Sequence, residues 1–247
     1  MLRIQNLTKK FGPLTAVADL SFSINAGQMY AYIGPNGSGK TTTIKMIAGL
    51  YVPTGGIIEI GGLDLIKEPE KAKEFVGYIP DEPYIYEKMS GREFLGFVAA
   101  LYGMERTDVE RQRDRYLADF PGLGEVIDGY VEDYSRGNKQ KLAFVAAFMH
   151  TPKLLLIDEP MVGLDPQSAL TVKKLLREFL QEGGAALLCT HTLPIAQELA
   201  HRIGVLEKGS LVAEGTMEEL RTKANMANAS LEEIYLQITN NQETITK

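Results

Sequence analysis

The sequence predicts an α/β fold in which a parallel sheet carries an inserted block of helices. Short apolar strand patterns alternate with helical patterns toward both ends of the chain, as in sheets that are built by right-handed crossover connections. One early strand runs directly into a glycine-rich loop and a helix. Residues 90–149 show mostly helical patterns, so this stretch is expected to form a helical subdomain between two groups of strands.

The predicted strands are short and are bounded by turns that contain glycine or polar residues. They cover residues 16–24, 28–33, 57–60, 75–79, 153–158, 185–190, 203–207 and 211–214. The strand at 57–60 lies between two glycine pairs and is expected at a sheet edge. A helix is predicted over 40–50, and the helical stretch has predicted breaks at Pro121-Gly122 and at Gly137. The last residues, 239–247, are polar, and we expect them to be frayed.

Composition and charge exclude several classes of protein. With 45% hydrophobic and 23% charged residues, the chain is an ordinary globular protein. Its net charge of -6, with both signs interleaved, argues against nucleic-acid binding, which needs a basic surface. The single cysteine, Cys189, lies in an apolar run; it excludes an internal disulfide and a cysteine-cluster metal site, and a buried thiol is expected. No signal peptide or membrane-spanning run is recognisable, so we expect a cytoplasmic protein whose membrane role would come through a partner.

A complete phosphate-loop pattern follows the predicted strand at 28–33. It fits G-x-x-x-x-G-K-[ST] with the residues Gly34, Pro35, Asn36, Gly37, Ser38, Gly39, Lys40, Thr41 and Thr42. Strand, loop and helix occur in the order that this motif requires. Glycines let successive backbone N–H groups point at phosphate oxygens, and the helix N-terminus favours negative charge. Lys40 is expected to reach the β- and γ-phosphates, and the Thr41 hydroxyl to ligate Mg²⁺.

Two adjacent acids, Asp158 and Glu159, follow four apolar residues. Such a run fits a central parallel strand buried on both faces, and ligands bind at the carboxyl ends of these strands. Asp158 is expected to approach Mg²⁺ directly or through water, and Glu159 to orient and deprotonate the attacking water. A strand that simply ends in solvated acids is the alternative for this feature alone. Together the two motifs predict a nucleotide-binding NTPase but leave many NTPase classes open.

Four further segments resemble motifs of the ABC ATPase family, in the family's order. Residues 134–142, with the sequence YSRGNKQKL, resemble the signature usually written LSGGQ. Residues 163–166, GLDP, resemble the D-loop, and Thr190 with His191 resembles the switch-histidine segment. Phe11 occupies the position of the family's adenine-stacking aromatic residue. On these motifs and the phosphate loop, residues 1 to about 221 are identified as an ABC ATPase domain.

The resemblance implies a P-loop NTPase (RecA-like) core with an N-terminal antiparallel β element and an inserted α-helical subdomain. A single domain would cover 1–223, with the core at 1–81 and 151–215, the helical subdomain at 82–150, and a short helix with a polar tail at 224–247. Since each chain has one copy of each motif, two chains would pair head to tail. Ser135 and Gly137 would then contact ATP on the partner subunit, His191 the γ-phosphate, and Asp165 the other half of the dimer.

For four of these positions the residues alone leave a structural alternative open. Ser135 and Asp165 are also good helix N-caps, and Asp165 precedes a proline at the first helical position. A lone histidine such as His191 is more often a core residue satisfied by the backbone. Phe11 fits a place in the core equally well.

Two departures from the family pattern stand out. Asp81 occupies the position of a glutamine that usually touches Mg²⁺, and contact through a water is expected because aspartate is shorter; a solvated turn is the alternative. Arg136 and Asn138 replace the signature's first glycine and its glutamine. Both departures resemble bacterial exporters of drugs, peptides or bacteriocins. We hypothesise that Arg136 adds positive potential near the partner's γ-phosphate.

The segment after Asp81 is unusually apolar for a loop. Tyr84, Ile85 and Tyr86 would either form a docking groove for a membrane subunit or pack the helical subdomain. The predicted function is therefore an ATPase subunit, using ATP and Mg²⁺, that powers a separate membrane permease, with an exporter favoured. The alternatives are a translation-type or DNA-repair ABC protein and a P-loop kinase for a small molecule.

Overall fold

The computed structural model describes residues 1–245, and the side chains of residues 1–239. The strands in this part of the chain are β1 (Leu2–Phe11), β2 (Leu14–Ile24), β3 (Met29–Ile33), β4 (Gly55–Ile60), β5 (Leu63–Asp64), β6 (Val76–Ile79), β7 (Leu154–Asp158), β8 (Ala185–Thr190), β9 (Arg202–Glu207) and β10 (Ser210–Gly215). The helices are α1 (Lys40–Ile47), α2 (Pro69–Lys73), α3 (Gly91–Leu101), α4 (Arg106–Asp119), α5 (Pro121–Gly124), α6 (Arg136–Met149), α7 (Pro166–Gln181), α8 (Leu193–Leu199), α9 (Met217–Ala224) and α10 (Leu231–Ile245).

The central sheet has the strand order β10-β9-β3-β8-β7-β6. The strands from β9 to β6 are parallel, and only β10 runs antiparallel to its neighbour. Every residue of β3, β7 and β8 is buried, which is why these segments are continuous apolar runs. The predicted parallel core is confirmed, and its carboxyl edge gathers the ends of the strands that carry the motifs.

A smaller antiparallel sheet packs beside the core in the order β2-β1-β4-β5. The expectation that the strand at 57–60 is an edge is wrong, because the chain turns at Gly61 and Gly62, both with positive φ, and β5 pairs with its free side. The sequence patterns did not single out β1 as a strand. The N-terminal antiparallel element implied by the family resemblance is present.

The helical block contains α3, α4, α5 and α6, and it packs on one face of the central sheet. The capping box of Ser90 and Glu93 starts α3. The predicted break at Gly137 is wrong: α6 already begins at Arg136, because the Ser135 hydroxyl accepts a hydrogen bond from the Asn138 amide. The helices share one hydrophobic cluster with the sheet, formed mainly by α6, β7 and α7.

The last two helices cover a third cluster, in which Leu220, Leu231 and Ile234 pack against β3 and β9. The expected C-terminal helix is present as α10, and part of the tail expected to be frayed, up to Ile245, is helical; residues 246 and 247 lie outside the described residues. Cys189 is buried and unpaired, as expected. Among residues 1–245, no helix combines the length and the apolar character needed to cross a membrane.

Candidate active site

The loop between β3 and α1 has the geometry of an anion cradle. Gly37 and Gly39 have φ of 81° and 104°, values that glycine adopts without strain. A Cβ on Gly34 would lie 2.3 Å from the Leu206 carbonyl oxygen, and one on Gly39 would lie 2.5 Å from that of Ala16. No side chain caps α1, so its first N–H groups remain available to an anionic ligand.

Lys40 and Ser38 fit a triphosphate in this cradle. Lys40 is only 6% exposed, and its Nζ donates to the carbonyl oxygens of Gly34 at 2.7 Å and Pro35 at 3.0 Å. Burial lowers the pKa of Lys40, which indicates a site where a cation gains from a bound anion. The buried Ser38 hydroxyl has no hydrogen-bond partner among the described residues. A phosphate oxygen would satisfy both groups.

The acid pair lies at the carboxyl end of β7, opposite the phosphate loop. β7 pairs with β8 so that Asp158 faces Cys189, whose thiol in turn contacts the Lys40 carbonyl oxygen. Asp158 is 4% exposed, and burial raises its pKa to about 6, with a hydrogen bond from the Thr41 side chain acting in the opposite direction. A buried carboxylate beside a hydroxyl is the kind of donor set that Mg²⁺ uses.

Glu159 is held in a fixed orientation by the end of β8. Its carboxylate accepts hydrogen bonds from the Thr190 hydroxyl at 2.9 Å and the His191 amide at 2.8 Å. The His191 Nδ1 lies 2.7 Å from the same carboxylate, and in the tautomer with a proton on Nδ1 it donates a third hydrogen bond to Glu159. Glu159 has a φ of 49°, which is uncommon outside glycine and typical of functional sites.

His191 is not a core histidine, because 59% of its side chain is exposed. The sequence predicts Thr190 only as part of the segment with His191, and it does not predict the hydrogen bond from Thr190 to Glu159. A hydroxyl residue at the end of a strand beside the acid-bearing strand was the available hint.

Phe11 does not lie in the core either, since it is 44% exposed. Its ring packs edge-on against Tyr51, with centroids 5.7 Å apart, and the Lys9 Nζ lies 4.9 Å from the Phe11 centroid. The partner ring of Tyr51 was not predicted from sequence, because nothing local links two aromatic residues on different elements. The core alternative for Phe11 is thus excluded, while stacking on adenine stays a prediction.

The signature segment and the segment after the acid pair touch each other. A Cβ on Gly137 would lie 2.7 Å from the Gly163 carbonyl oxygen, so only glycine permits this approach. The Ser135 hydroxyl caps α6. Arg136 forms an ion pair with Asp81 at 3.2 Å within the same chain. Within one chain, the signature segment therefore contacts both the loop after β7 and the loop after β6.

Asp165 caps α7 and joins it to the signature helix. It accepts hydrogen bonds from the Ser168 amide at 2.9 Å and hydroxyl at 2.6 Å, and from Lys141 at 3.0 Å. These bonds, those from Ser168 first, hold the pKa of Asp165 well below its usual range. The helix-capping role that was the alternative for Asp165 is therefore observed, and a contact across a dimer stays a prediction.

A largely apolar cavity of about 680 Å³ opens from Asp158 and Asp81 toward the helical block. Its lining includes Thr41, Asp81, Tyr84, Tyr102, His150 and Asp158. Tyr84, which lines the cavity, is 91% exposed, and the nearby Tyr86 is 59% exposed, while Ile85 packs on the hydrophobic cluster. The exposed aromatic rings favour the docking interpretation of this segment.

Comparison with known proteins decides the class of NTPase. Residues 17–162 match the family model described as ABC transporter. The chain belongs to this family. The linearmycin resistance ATP-binding protein LnrL of Bacillus subtilis is 35% identical over 89% of this chain and 70% of its own length. The transporter ATP-binding protein EcsA of the same organism is 32% identical over 97% and 96%. The daunorubicin/doxorubicin resistance ATP-binding protein DrrA of Streptomyces peucetius is 35% identical over 90% and 67%.

Solved structures agree with this family. An ATP-binding subunit of an ABC transporter superposes with a TM-score of 0.93 at 34% identity, covering 97% of this ABC ATPase and 99% of that chain. A dimeric ATP-binding cassette bound to ADP and Pi, 21% identical, shares the fold with a TM-score of 0.80 over 88% of this chain and 99% of that one. The predicted fold and the predicted function, an ATP-hydrolysing subunit of an ABC transporter, are confirmed. The kinase and non-transport alternatives are not favoured.

Proposed function

We propose that this ABC ATPase hydrolyses Mg–ATP with Glu159 as general base, in a head-to-tail pair of subunits that drives a membrane permease. The orientation of Glu159 carries the proposal, because three donors at 2.7–2.9 Å fix its carboxylate beside the phosphate cradle. A base must hold its lone pair toward the water that it deprotonates. The side chain is nevertheless 12% exposed, so a water molecule has access to it.

Lys40 and the loop amides bind the triphosphate. The Lys40 ammonium contacts only carbonyl oxygens in the contacts described above, so its charge is available to the β- and γ-phosphates. The free N–H groups at the start of α1 and the Ser38 hydroxyl add donors. Phe11, with Tyr51 behind it, offers its exposed ring to the adenine, since stacking on an aromatic face suits any base.

Thr41 and Asp158 are the residues that would hold Mg²⁺, with Asp81 as a contact through water. A cation here would compensate the buried Asp158 carboxylate, whose raised pKa reports the cost of its charge. When bound, the ion supplies positive charge that offsets charge developing on the phosphates. His191 keeps Glu159 oriented and would contact the γ-phosphate.

A second subunit would complete each site. Ser135 and Gly137 stand at the start of α6, where a helix N-terminus favours a phosphate group, and would face the partner's ATP. Asp165, on the adjacent loop, would contact the other half of the pair. We retain the division into a core (1–81 and 151–215), a helical subdomain (82–150) and a C-terminal region (224–247) as part of this proposal.

An exporter is the transporter class that the comparisons favour, because two relatives are named for resistance to linearmycin and to daunorubicin and doxorubicin. The exposed Tyr84 and Tyr86 would contact the permease. The protein would then work in the cytoplasm, at the inner face of the membrane. No nucleic acid is expected as a partner.

Glu159→Gln tests the assignment of the base. The variant should bind Mg–ATP normally and form an ATP-dependent dimer, while turnover falls about 10²–10⁴-fold. Glu207→Gln is a matched control, because Glu207 also ends a strand at the same sheet edge and is 14% exposed; its turnover should stay within a factor of two or so. Near-normal hydrolysis by Glu159→Gln would remove Glu159 from this role.

The permease assignment needs its own experiment. Affinity purification from detergent-solubilised membranes should recover one membrane protein with the wild-type chain and less of it with a Tyr84→Ser and Tyr86→Ser double variant. Equal recovery with both chains would place the docking surface elsewhere.

A further inference from the structure

The two departures from the family pattern contact each other in the folded chain. Arg136 Nη2 donates to Asp81 Oδ1 at 3.2 Å, although the two residues are 55 positions apart. Both side chains are about half exposed, at 52% and 47%. The pair links the first turn of α6 to the loop after β6, which is the loop that leads from the sheet into the helical block.

Arg136 occupies a position where a cation is unfavourable without an anion. It is the first residue of α6, and the N-terminus of a helix carries the positive end of the helix dipole. No acidic residue lies in the first turn of α6. Asp81 supplies the missing negative charge from outside the helix. A bound triphosphate at Ser135 would supply more of it.

The geometry of the arginine stem allows the guanidinium to exchange partners. The Cγ and Cδ of Arg136 lie 3.2 Å from the position that a Cβ on Gly163 would occupy, so the stem rests on the loop after the acid pair. The exposed guanidinium lies beyond this anchor. It can turn about the stem without moving Ser135 or Gly137.

We infer that Arg136 and Asp81 form a latch within one subunit, and that the partner's triphosphate competes with Asp81 for the Arg136 guanidinium. The latch rests on the proposed function, because it requires that Ser135 and Gly137 face the ATP of the partner. Asp81 withholds the charge of Arg136 until a second subunit brings ATP. The pair thereby sets the ATP concentration at which two subunits close.

The competition predicts the direction and size of the change that one substitution causes in the ATP concentration for half-maximal dimerisation. Asp81→Asn keeps the shape of the side chain but frees the guanidinium. A half-exposed ion pair is weak, so the ATP concentration for half-maximal dimerisation should fall only about two- to five-fold. A pair that merely positions the signature would give the opposite sign, since its loss would misplace Ser135 and raise that concentration.

The experiment is a double-variant cycle in the Glu159→Gln background, with dimerisation followed by light scattering as Mg–ATP is titrated. The variants are Asp81→Asn, Arg136→Ala and Arg136→Lys, together with Asp81→Asn combined with each substitution of Arg136. We expect the shift caused by Asp81→Asn to disappear when Arg136 is alanine and to persist when Arg136 is lysine. Melting temperatures without nucleotide show whether each variant is folded.

A matched control cycle uses Arg92 and Asp128. Arg92 also lies in the first turn of a helix, α3, and pairs with a loop aspartate at 2.6 Å. Arg92→Ala and Asp128→Asn should leave the dimerisation midpoint within about 1.5-fold.

Each outcome decides between interpretations. An unchanged or raised midpoint for Asp81→Asn overturns the latch. An equal fall in the Arg136→Ala background also overturns it, since Asp81 would then act on its own subunit's nucleotide. Failure of the parent Glu159→Gln protein to dimerise with ATP would instead defeat the proposed pairing of subunits.

Discussion

Replacing Asp158 with asparagine should stabilise the nucleotide-free protein while abolishing its ATPase activity. Burial raises the pKa of Asp158 from 3.8 to about 6. Each pKa unit corresponds to about 1.4 kcal/mol, so keeping this carboxylate ionised in the folded chain costs about 3 kcal/mol above pH 7. The side chain is 4% exposed, so solvent screens little of this cost. Asparagine removes the charge but must bury an amide, and we expect a net gain of about 1–3 kcal/mol.

The gain should depend on pH with a defined sign. Between pH 4 and 6 the folded chain binds more protons at Asp158 than the unfolded chain does, because the folded pKa is the higher one. Stability contributed by this group is therefore present below pH 4 and lost as the pH rises through 6. The advantage of Asp158→Asn should be largest above pH 7 and should vanish near pH 4.

Urea unfolding in EDTA at pH 8 and pH 5, without nucleotide, measures the effect. Asp165→Asn is the control of opposite sign, because the pKa of Asp165 lies well below its usual range and its loss should destabilise the protein. Adding Mg–ATP should favour the wild type, whose site binds the ligand. A variant less stable than wild type at pH 8, or a gain independent of pH, would refute the reasoning.

Three further predictions concern single side chains. His191→Ala removes one of the three donors to Glu159; steady-state assays should show turnover reduced about 10²-fold with ATP binding retained, and normal turnover would contradict this. Burial lowers the pKa of His150 to about 4, so the stability of the wild type should fall as the pH drops from 6.5 to 4. His150→Phe can keep the ring stack on Tyr102 and should be more stable than the wild type by about 2–3 kcal/mol at pH 4. An equal difference in unfolding free energy between variant and wild type at pH 4 and pH 7 would disprove this. Phe11→Ala should raise KM for ATP about fivefold by losing roughly 1 kcal/mol of stacking, and an unchanged KM would reject adenine stacking.

The parts of the fold that sequence predicts well are the strands buried on both faces. β3, β7 and β8 need apolar side chains at every position, so each is a continuous run with clear ends. β1 was missed for a physical reason: its register against β2 shifts at several points between Ile4 and Lys10, and these irregularities destroy the alternation of buried and exposed residues. β4 was wrongly predicted as an edge strand because β5, which pairs with its outer side, has only two residues.

The site divides in a similar way. Residues within one motif follow from local geometry, so Gly34, Lys40, Asp158 and Glu159 could be named from the sequence. Contacts between motifs depend on sheet order and loop paths, which no local pattern encodes. The hydrogen bond from Thr190 to Glu159 and the ion pair of Arg136 with Asp81 belong to this second kind. Arg136 was placed near the partner's phosphate from charge alone, without its cis counter-ion.

The short connection from α6 to β7 reverses the direction of the chain. Residues 150–153 connect the two elements, and the Lys153 and Leu154 amides both donate to the Phe75 carbonyl oxygen at 2.9 Å, which pins the joint. The C-terminal part of α6 lies beside Gly77 of β6 and its first residue, Arg136, reaches Asp81 after the end of β6, so the start of the signature helix and Asp158 lie toward the same edge of the sheet. In a head-to-tail pair of subunits this hairpin would join the signature, facing the partner's ATP, to the acid pair at the chain's own ATP, and ATP turnover should rise with a Hill coefficient above one.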